Sequence, residues 1–259
     1  MRCIVLGSGS KGNATLVETG QTRILIDNGF SGKELVNRLH QAGVDPTSLN
    51  ALVLTHEHND HVAGVGVLAR RLRLPVYANV ATHRAVEKRV GNIPTRLEFN
   101  TGEVFCIGDM EIHAFAISHD AVDPVGFTVG NGQLAIGYCT DTGTITRLVR
   151  HHLSSCQALV LEANHDVHML RTGPYPLALQ QRVLSNQGHL TNTDALNLAA
   201  ELMAQGQLQQ LVLAHLSEVN NHPQLLSQEI DRRTKELTGL RIALASQSCI
   251  GPALDLTRS

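Results

Sequence analysis

Short apolar runs that break off at a histidine or an aspartate recur along this chain, and they constrain its fold more than any other feature. Ile24-Leu25-Ile26 ends in Asp27, Leu52-Val53-Leu54 leads into His56, and Phe115-Ala116-Ile117 precedes His119. Farther on, Ala135-Ile136-Gly137-Tyr138 leads to Asp141, Leu159-Val160-Leu161 to His165, and Leu211-Val212-Leu213-Ala214 to His215. Runs this short, β-branched in part and bounded by polar residues, read as buried strands. Each strand then delivers a ligand-capable side chain to the sheet edge, where α/β proteins build their sites.

Helical patterns lie between the strands. Ser31-Gly32-Lys33-Glu34 is a capping box opening a helix through Leu35, Leu39 and Ala42, with Gly43 at its end. Val62–Leu72, Thr193–Ala204 and Pro223–Leu237 carry apolar residues at helical spacing. Strands interleaved with helices predict an α/β class with helices packed on sheets. The 259 residues can bury a sizeable core, and without a linker, repeat or low-complexity stretch a single domain over residues 1–259 is expected. Trp is absent and aromatics make up 3%, so the core must be Leu, Val, Ile and Ala, and platforms for stacking bases are scarce. Cys3, Cys106, Cys139, Cys156 and Cys249 form no CxxC pair and are odd in number, which argues against a disulfide framework and a thiolate zinc site. With no apolar run near the ~20 residues of a membrane span and none fit for a signal peptide, a cytoplasmic protein without membrane contact is expected.

Thr55-His56-Glu57-His58-Asn59-Asp60-His61 gathers four ligand-capable side chains within six residues. A lone histidine at a strand end is ordinarily a solvated residue. Here His56 and His58, two apart in extended chain, point the same way and can share one ion, while a turn lets Asp60 and His61 converge on another. His119, Asp141 and His215 supply the further ligands that two ions need, and Asp141 is the natural bridge because a carboxylate has two oxygens. Imidazole and carboxylate suit Zn, Mn or Fe.

These residues resemble the metallo-β-lactamase superfamily of binuclear hydrolases. The resemblance implies a four-layer αββα sandwich with the metals at one edge between the sheets. It implies that His56, His58 and His119 hold the first of two divalent ions, that Asp60, His61 and His215 hold the second, that Asp141 bridges, and that Asp27 is a buried supporting acid behind a histidine or its loop. His61 disfavours antibiotic hydrolysis, since members with that activity usually lack a histidine there. The stretch of about 73 residues between Asp141 and His215 is too short for the cap domain of nucleases that process messenger-RNA ends. Leu6–Asn13, Ile26–Lys33, Leu161–Asp166, Gly188–Asn192 and Ala214–Ser217 together resemble the bacterial YycJ/WalJ group, with Asn28 a departure where a small residue is expected. That likeness implies a 5′-to-3′ exonuclease on double-stranded DNA with a part in mismatch repair.

The remaining motifs suit a nucleic acid substrate. The backbone N–H groups around Ser10 and Asn13, in the Gly-rich loop, are expected to approach a phosphate, although such a loop also serves as a plain hairpin turn. His189, in Gly188-His189-Leu190-Thr191-Asn192, precedes a helix whose first turn suits an anion. By likeness to transfer-RNA 3′-processing endonucleases, His189 would contact phosphate or donate a proton. Asn192 joins it as a candidate contact, and His165 as a site wall. Between Arg70 and Arg96 lie seven Lys or Arg against the single acid Glu87, in a chain of net charge −2. That asymmetry suits a phosphate-backbone footprint or, more plainly, solvated helix faces. Asp60 and His189 are the expected catalytic groups. The alternatives are a small-molecule or cyclic-nucleotide phosphodiesterase, and a non-catalytic signalling or scaffold protein that keeps its metals.

Overall fold

In the computed structural model, which describes residues 1–256, the short apolar runs resolve into two seven-stranded mixed sheets. The first contains β1 (Arg2–Gly7), β2 (Ala14–Glu18), β3 (Arg23–Ile26), β4 (Ala51–Val53), β5 (Pro75–Asn79) and β6 (Thr95–Phe99) in sequence order. The second runs from β7 (Val104–Ile107) through β8 (Met110–Ala116), β9 (Val125–Gly130), β10 (Ala135–Cys139), β11 (Ala158–Glu162) and β12 (Gln210–Ala214) to β13 (Arg241–Leu244). The short β14 (Leu254–Asp255) returns to pair with β1. β3 to β6 are parallel, as are β10 to β13, so their carboxyl ends share an edge.

Alternation within each strand builds the layers. Ile24, Ile26, Val53, Val160 and Val212 face the core between the sheets, whereas Leu25, Leu52, Leu159, Leu161, Leu211 and Leu213 face the helices. β-Branched side chains suit the flat sheet-on-sheet contact, and the longer leucines reach the helices outside. Helices α1 (Gly32–Gln41), α2 (Asn59–Val62), α3 (Val65–Leu72) and α4 (Val80–Val90) belong to the half of the chain that builds the first sheet; α5 (Arg147–Leu153), α6 (Val167–Thr172), α7 (Leu177–Val183), α8 (Asn192–Ala204) and α9 (Pro223–Arg232) belong to the second. The result is the expected αββα sandwich.

Two helical expectations are revised. The Val62–Leu72 helix is interrupted at Gly64, whose N–H donates to Asn28 O (3.0 Å) and where a Cβ would lie 1.8 Å from Phe30 O. The 28–30 loop is wedged against this break. The Pro223–Leu237 helix ends at Arg232, beyond which turn bonds carry the chain to Leu237. At α1 the box forms by half: Ser31 Oγ accepts from Glu34 N, but the Glu34 carboxylate turns to Arg38 Nε (2.7 Å). Among the described residues no helix is long and apolar enough to cross a membrane.

Candidate metal centre

The chain bends hardest where the candidate ligands sit. Asp27 directly follows β3, Asp141 closely follows β10 and His215 directly follows β12, and each holds a left-handed backbone, with φ of 59°, 58° and 55°. Among the described non-glycine residues only Arg73 shares that conformation. Each such residue costs on the order of 1–3 kcal/mol and persists only where its surroundings over-determine it. Here those surroundings are hydrogen bonds to every one of the three side chains or their neighbours.

Two donor clusters hold the expected ligands, His56, His58 and His119 in one and Asp60, His61, Asp141 and His215 in the other, and a third group overlaps the second by joining Asp141 and His215 to Glu162 and His189; the donor atoms of each lie within 4.8 Å of one another. His58 Nδ1 lies 3.2 Å from His119 Nε2; His61 Nε2 lies 3.4 Å from Asp60 Oδ2 and 3.2 Å from Asp141 Oδ2; His215 Nε2 lies 3.4 Å from Asp60 Oδ2. Donors about 2.0–2.1 Å from a tetrahedral zinc are separated by roughly 3.3–3.4 Å, so the spacing fits a shared cation. Asp141 reaches both clusters, with Oδ1 3.5 Å from His215 Nε2 and 3.8 Å from His119 Nε2. His56 Nε2 and Asp141 Oδ2 are buried and make no hydrogen bond of good geometry, as expected of atoms whose natural partner is a cation.

Four of the five rings in the two ligand clusters are anchored on their opposite side. His61 Nδ1 donates to Asp27 Oδ2 (2.8 Å), His215 Nδ1 to Glu162 Oε1 (2.9 Å), and His119 Nδ1 to the carbonyls of Gln187 (3.2 Å) and Gly188 (3.1 Å). His56 Nδ1 donates to Thr55 Oγ1 (2.9 Å), whose own proton goes to Asp27 Oδ2 (2.8 Å). These partners set the tautomer that leaves Nε2 with a lone pair facing inward. Asp27 thus hydrogen-bonds both His61 and Thr55 from behind the second cluster. Asn28, the departure from the family pattern, is buried beside it, its Oδ1 accepting from Phe30 N (3.2 Å).

Electrostatics follow from burial and crowding. Burial, then the neighbouring His61 charge, holds His56 well below its usual range, and burial also lowers His119. Burial also works against protonating His61 and His215, but the carboxylates around them, Asp141 foremost, raise both well above the usual range. Although burial opposes it, His61 and His215 hold the Asp60 and Asp141 carboxyls low. Glu162, despite burial, is lowered to about 2 by His189 and His215.

The substrate candidates are arranged less simply. His189 Nδ1 donates to Glu162 Oε1 (2.7 Å), which raises the His189 pKa against the effect of burial. Its side chain is 17% exposed, close to the 22% of Asp60, whereas His56, His61, Asp141 and His215 are buried. Asn13 Nδ2 lies 3.2 Å from Asp60 Oδ2 and 3.1 Å from His61 Nε2, so Asn13 braces the second cluster. Ser10 is exposed at the tip of the same loop. The loop's N–H groups are largely occupied within the protein: Ser8 N on Ser246 O, Gly9 N on Asn13 Oδ1, Lys11 N on Gln247 Oε1, Gly12 N on Gly9 O and Asn13 N on Asp60 O. A phosphate cradle therefore gives way to the hairpin-turn reading. Asn192 is buried in an amide pair with Asn221, and the first turn of α8 is capped by Thr191 and carries Asp194, so it does not offer the expected anion site. His165 is wholly buried with both ring nitrogens unpartnered, so its ring does not line the cleft.

Two contributors escaped the sequence reading. Glu162 closes β11 and joins His189, His215, Thr142 N and Leu190 N through its two oxygens. Ser8 Oγ accepts from His215 N (2.9 Å) and donates to Asn13 Oδ1 (2.8 Å). Their signals were present, an acid one residue after Leu161 and a serine directly after β1.

A β-lactamase superfamily domain model matches residues 22–216. The chain is 39% identical over 234 residues to the exodeoxyribonuclease YycJ of Bacillus anthracis, covering 90% of this chain and 88% of that protein. It is 36% identical over 225 residues to the exodeoxyribonuclease WalJ of Streptococcus pneumoniae, covering 85% and 83%. The solved metallo-β-lactamase fold protein YhfI from Bacillus subtilis superposes with a TM-score of 0.72 at 18% identity, covering 98% of this chain and 99% of that one.

Proposed function

This chain belongs to the metallo-β-lactamase superfamily and, within it, to the YycJ/WalJ group, and from that premise we propose that it is a two-metal phosphodiesterase that degrades DNA from the 5′ end, with a role in mismatch repair. It is a metal-dependent hydrolase; nucleic acid as substrate is the reading that its exodeoxyribonuclease relatives favour. The observation that carries the two-metal part is Asp141, whose carboxylate lies against both donor clusters.

In this reading His56, His58 and His119 hold one divalent ion, Asp60, His61 and His215 a second, and Asp141 is shared. The donor set suits Zn or Mn, and Fe as well. Bound there, the ions would supply Lewis acidity to phosphoryl oxygens and bring the pKa of water toward neutrality. The chain's own groups do the rest. Asp60 orients the attacking water, and Asp27, Thr55 and Glu162 keep the imidazoles aimed at the centre. His189, whose protonated form the Glu162 carboxylate favours and whose side chain is partly exposed, donates its proton to the departing oxygen as the P–O bond breaks, a contribution of about 10²–10⁴-fold in rate.

The test uses demetallated protein, one added metal at a time, and end-labelled single- and double-stranded DNA and RNA. Stepwise shortening of duplex DNA from its 5′ ends supports the reading. Turnover confined to small phosphodiesters would instead assign a small-molecule enzyme. Asp60→Ala should abolish hydrolysis while the circular dichroism of the folded chain persists; near-normal activity in that variant would end the two-metal account.

A further inference from the structure

The basic segment between Arg70 and Arg96 is sorted by the structure into cations already engaged and cations that are free. Arg70 Nη1 donates to the carbonyls of Val90 (2.7 Å) and Asn92 (3.1 Å), and Arg96 pairs with Glu98 (2.7 Å). Arg71 and Arg73 are exposed at the carboxyl end of α3, the end away from the ligand-bearing turn. The remaining three, Arg84, Lys88 and Arg89, are exposed on α4.

Helix α4 is tied to the metal centre at two points. Arg89 Nη1 donates to Glu57 O (2.7 Å), the carbonyl between His56 and His58. Asn79, which caps the helix through Thr82 N, donates from Nδ2 to Asp123 O (2.7 Å), in the loop that follows His119. Glu57 Oε1 closes the circuit by accepting from Val122 N (3.0 Å). Thr82, His83, Val86 and Val90 form the buried face, so Arg84 and Lys88, four residues apart, lie together on the outer face, with Arg89 on a flank that reaches the ligand loop. Neither Arg84 nor Lys88 has an ion-pair or hydrogen-bond partner for its side chain. At 1.5 Å per residue they stand about 6 Å apart along the axis, comparable to one or two nucleotides at roughly 3.4 Å rise per strand.

We infer that the Arg84–Lys88–Arg89 ridge of α4 is the track on which the phosphate backbone of a nucleic acid strand lies as it enters or leaves the metal centre. The inference rests on the nuclease reading above and adds where the strand runs. Arg89 is held in place by Glu57, so the ridge continues directly into the ligand loop; Arg84 and Lys88 extend it outward as unpaired charges. Phosphate neutralisation of this kind is independent of base sequence and weakens with salt.

The experiment compares wild type, Arg84→Glu/Lys88→Glu, and a charge-matched control, Arg232→Glu/Lys235→Glu, at the end of α9. Steady-state kinetics are measured on an end-labelled DNA duplex between 50 and 300 mM salt and on bis(p-nitrophenyl) phosphate. The ridge variant should lose at least tenfold more kcat/KM on DNA than on the small ester, mostly through KM, and its log KM against log salt slope should be shallower by about 1.8, the value for two lost phosphate contacts. The control should keep the wild-type slope. An unchanged slope in the ridge variant, or an equal effect of the control, overturns the track while leaving the nuclease reading standing. A wild-type protein that hydrolyses the ester and no nucleic acid overturns both.

Discussion

Glu162 Oε1 receives hydrogen bonds from two imidazoles, His189 and His215, so one oxygen sets both a candidate ligand and the candidate acid. Glu162→Gln keeps an acceptor but removes the charge that raises His189. The high-pH limb of the kcat profile should therefore move to lower pH, with metal affinity weakened about 10–100-fold, and a pH–rate series with metal titration checks both. His165 makes a different case. Burial pushes it down to about 4 and leaves its nitrogens without partners, so below the usual range near 6.5 the unfolded chain takes up a proton that the fold refuses. On that account stability is lost as pH falls from about 6.5 toward 4, by about 3 kcal/mol at most. His165→Leu should flatten this acid limb in urea melts and raise stability at neutral pH; an unaltered limb would show that other groups govern it. His56, His58, Asp60 and His61 were legible because they crowd a strand end, whereas Glu162 was masked by His165, the more suggestive residue type on the same run. Hydrogen bonds between segments, not residue type, separate the two.

At the level of elements, the turn between α2 and α3 decides where Asp60 and His61 point. Gly64 sits against Phe30 O and Asn28, and the 28–30 loop also supplies Asn28 N to His61 O (2.8 Å). Gly64→Ala would place a Cβ 1.8 Å from Phe30 O and push that loop off the ligand segment. A destabilisation of about 3 kcal/mol is expected, with reduced metal content, measured by thermal melting and elemental analysis. Gly20→Ala, whose Cβ would meet nothing within 4 Å, should stay within about 0.5 kcal/mol of wild type. The six runs that end in a candidate ligand were all readable as strands because apolar content and length suffice for that. The break at Gly64 was not, since Val62 to Leu72 keeps helical spacing straight through it and only a loop distant in sequence interrupts it. The exposed strand β6, Thr95–Phe99, likewise lacks the apolar density that marks a buried strand.

Across the whole molecule, the αββα order was accessible only through family likeness, because alternation shows which side of a strand is buried and not which sheet it joins. That architecture gathers Asp27, Asp60, Asp141 and Glu162 around His61 and His215 from both sheets, and the collection has a consequence for stability. Without a cation, these carboxylates raise His61 and His215 well above their ordinary range. Groups with raised folded pKa values contribute stability that is complete below about 6.5 and is lost as pH climbs through those folded values. The metal-free protein should therefore weaken toward alkaline pH. Cation ligation instead requires both rings neutral, so binding expels protons and tightens as pH rises. The melting temperatures of metal-loaded and chelator-treated protein should diverge steadily between pH 6 and 9, and calorimetry in buffers of different ionisation enthalpy should record proton release on loading. A gap that stays constant over this range, with no proton release, would mean that His61 and His215 are not the groups displaced by the metal.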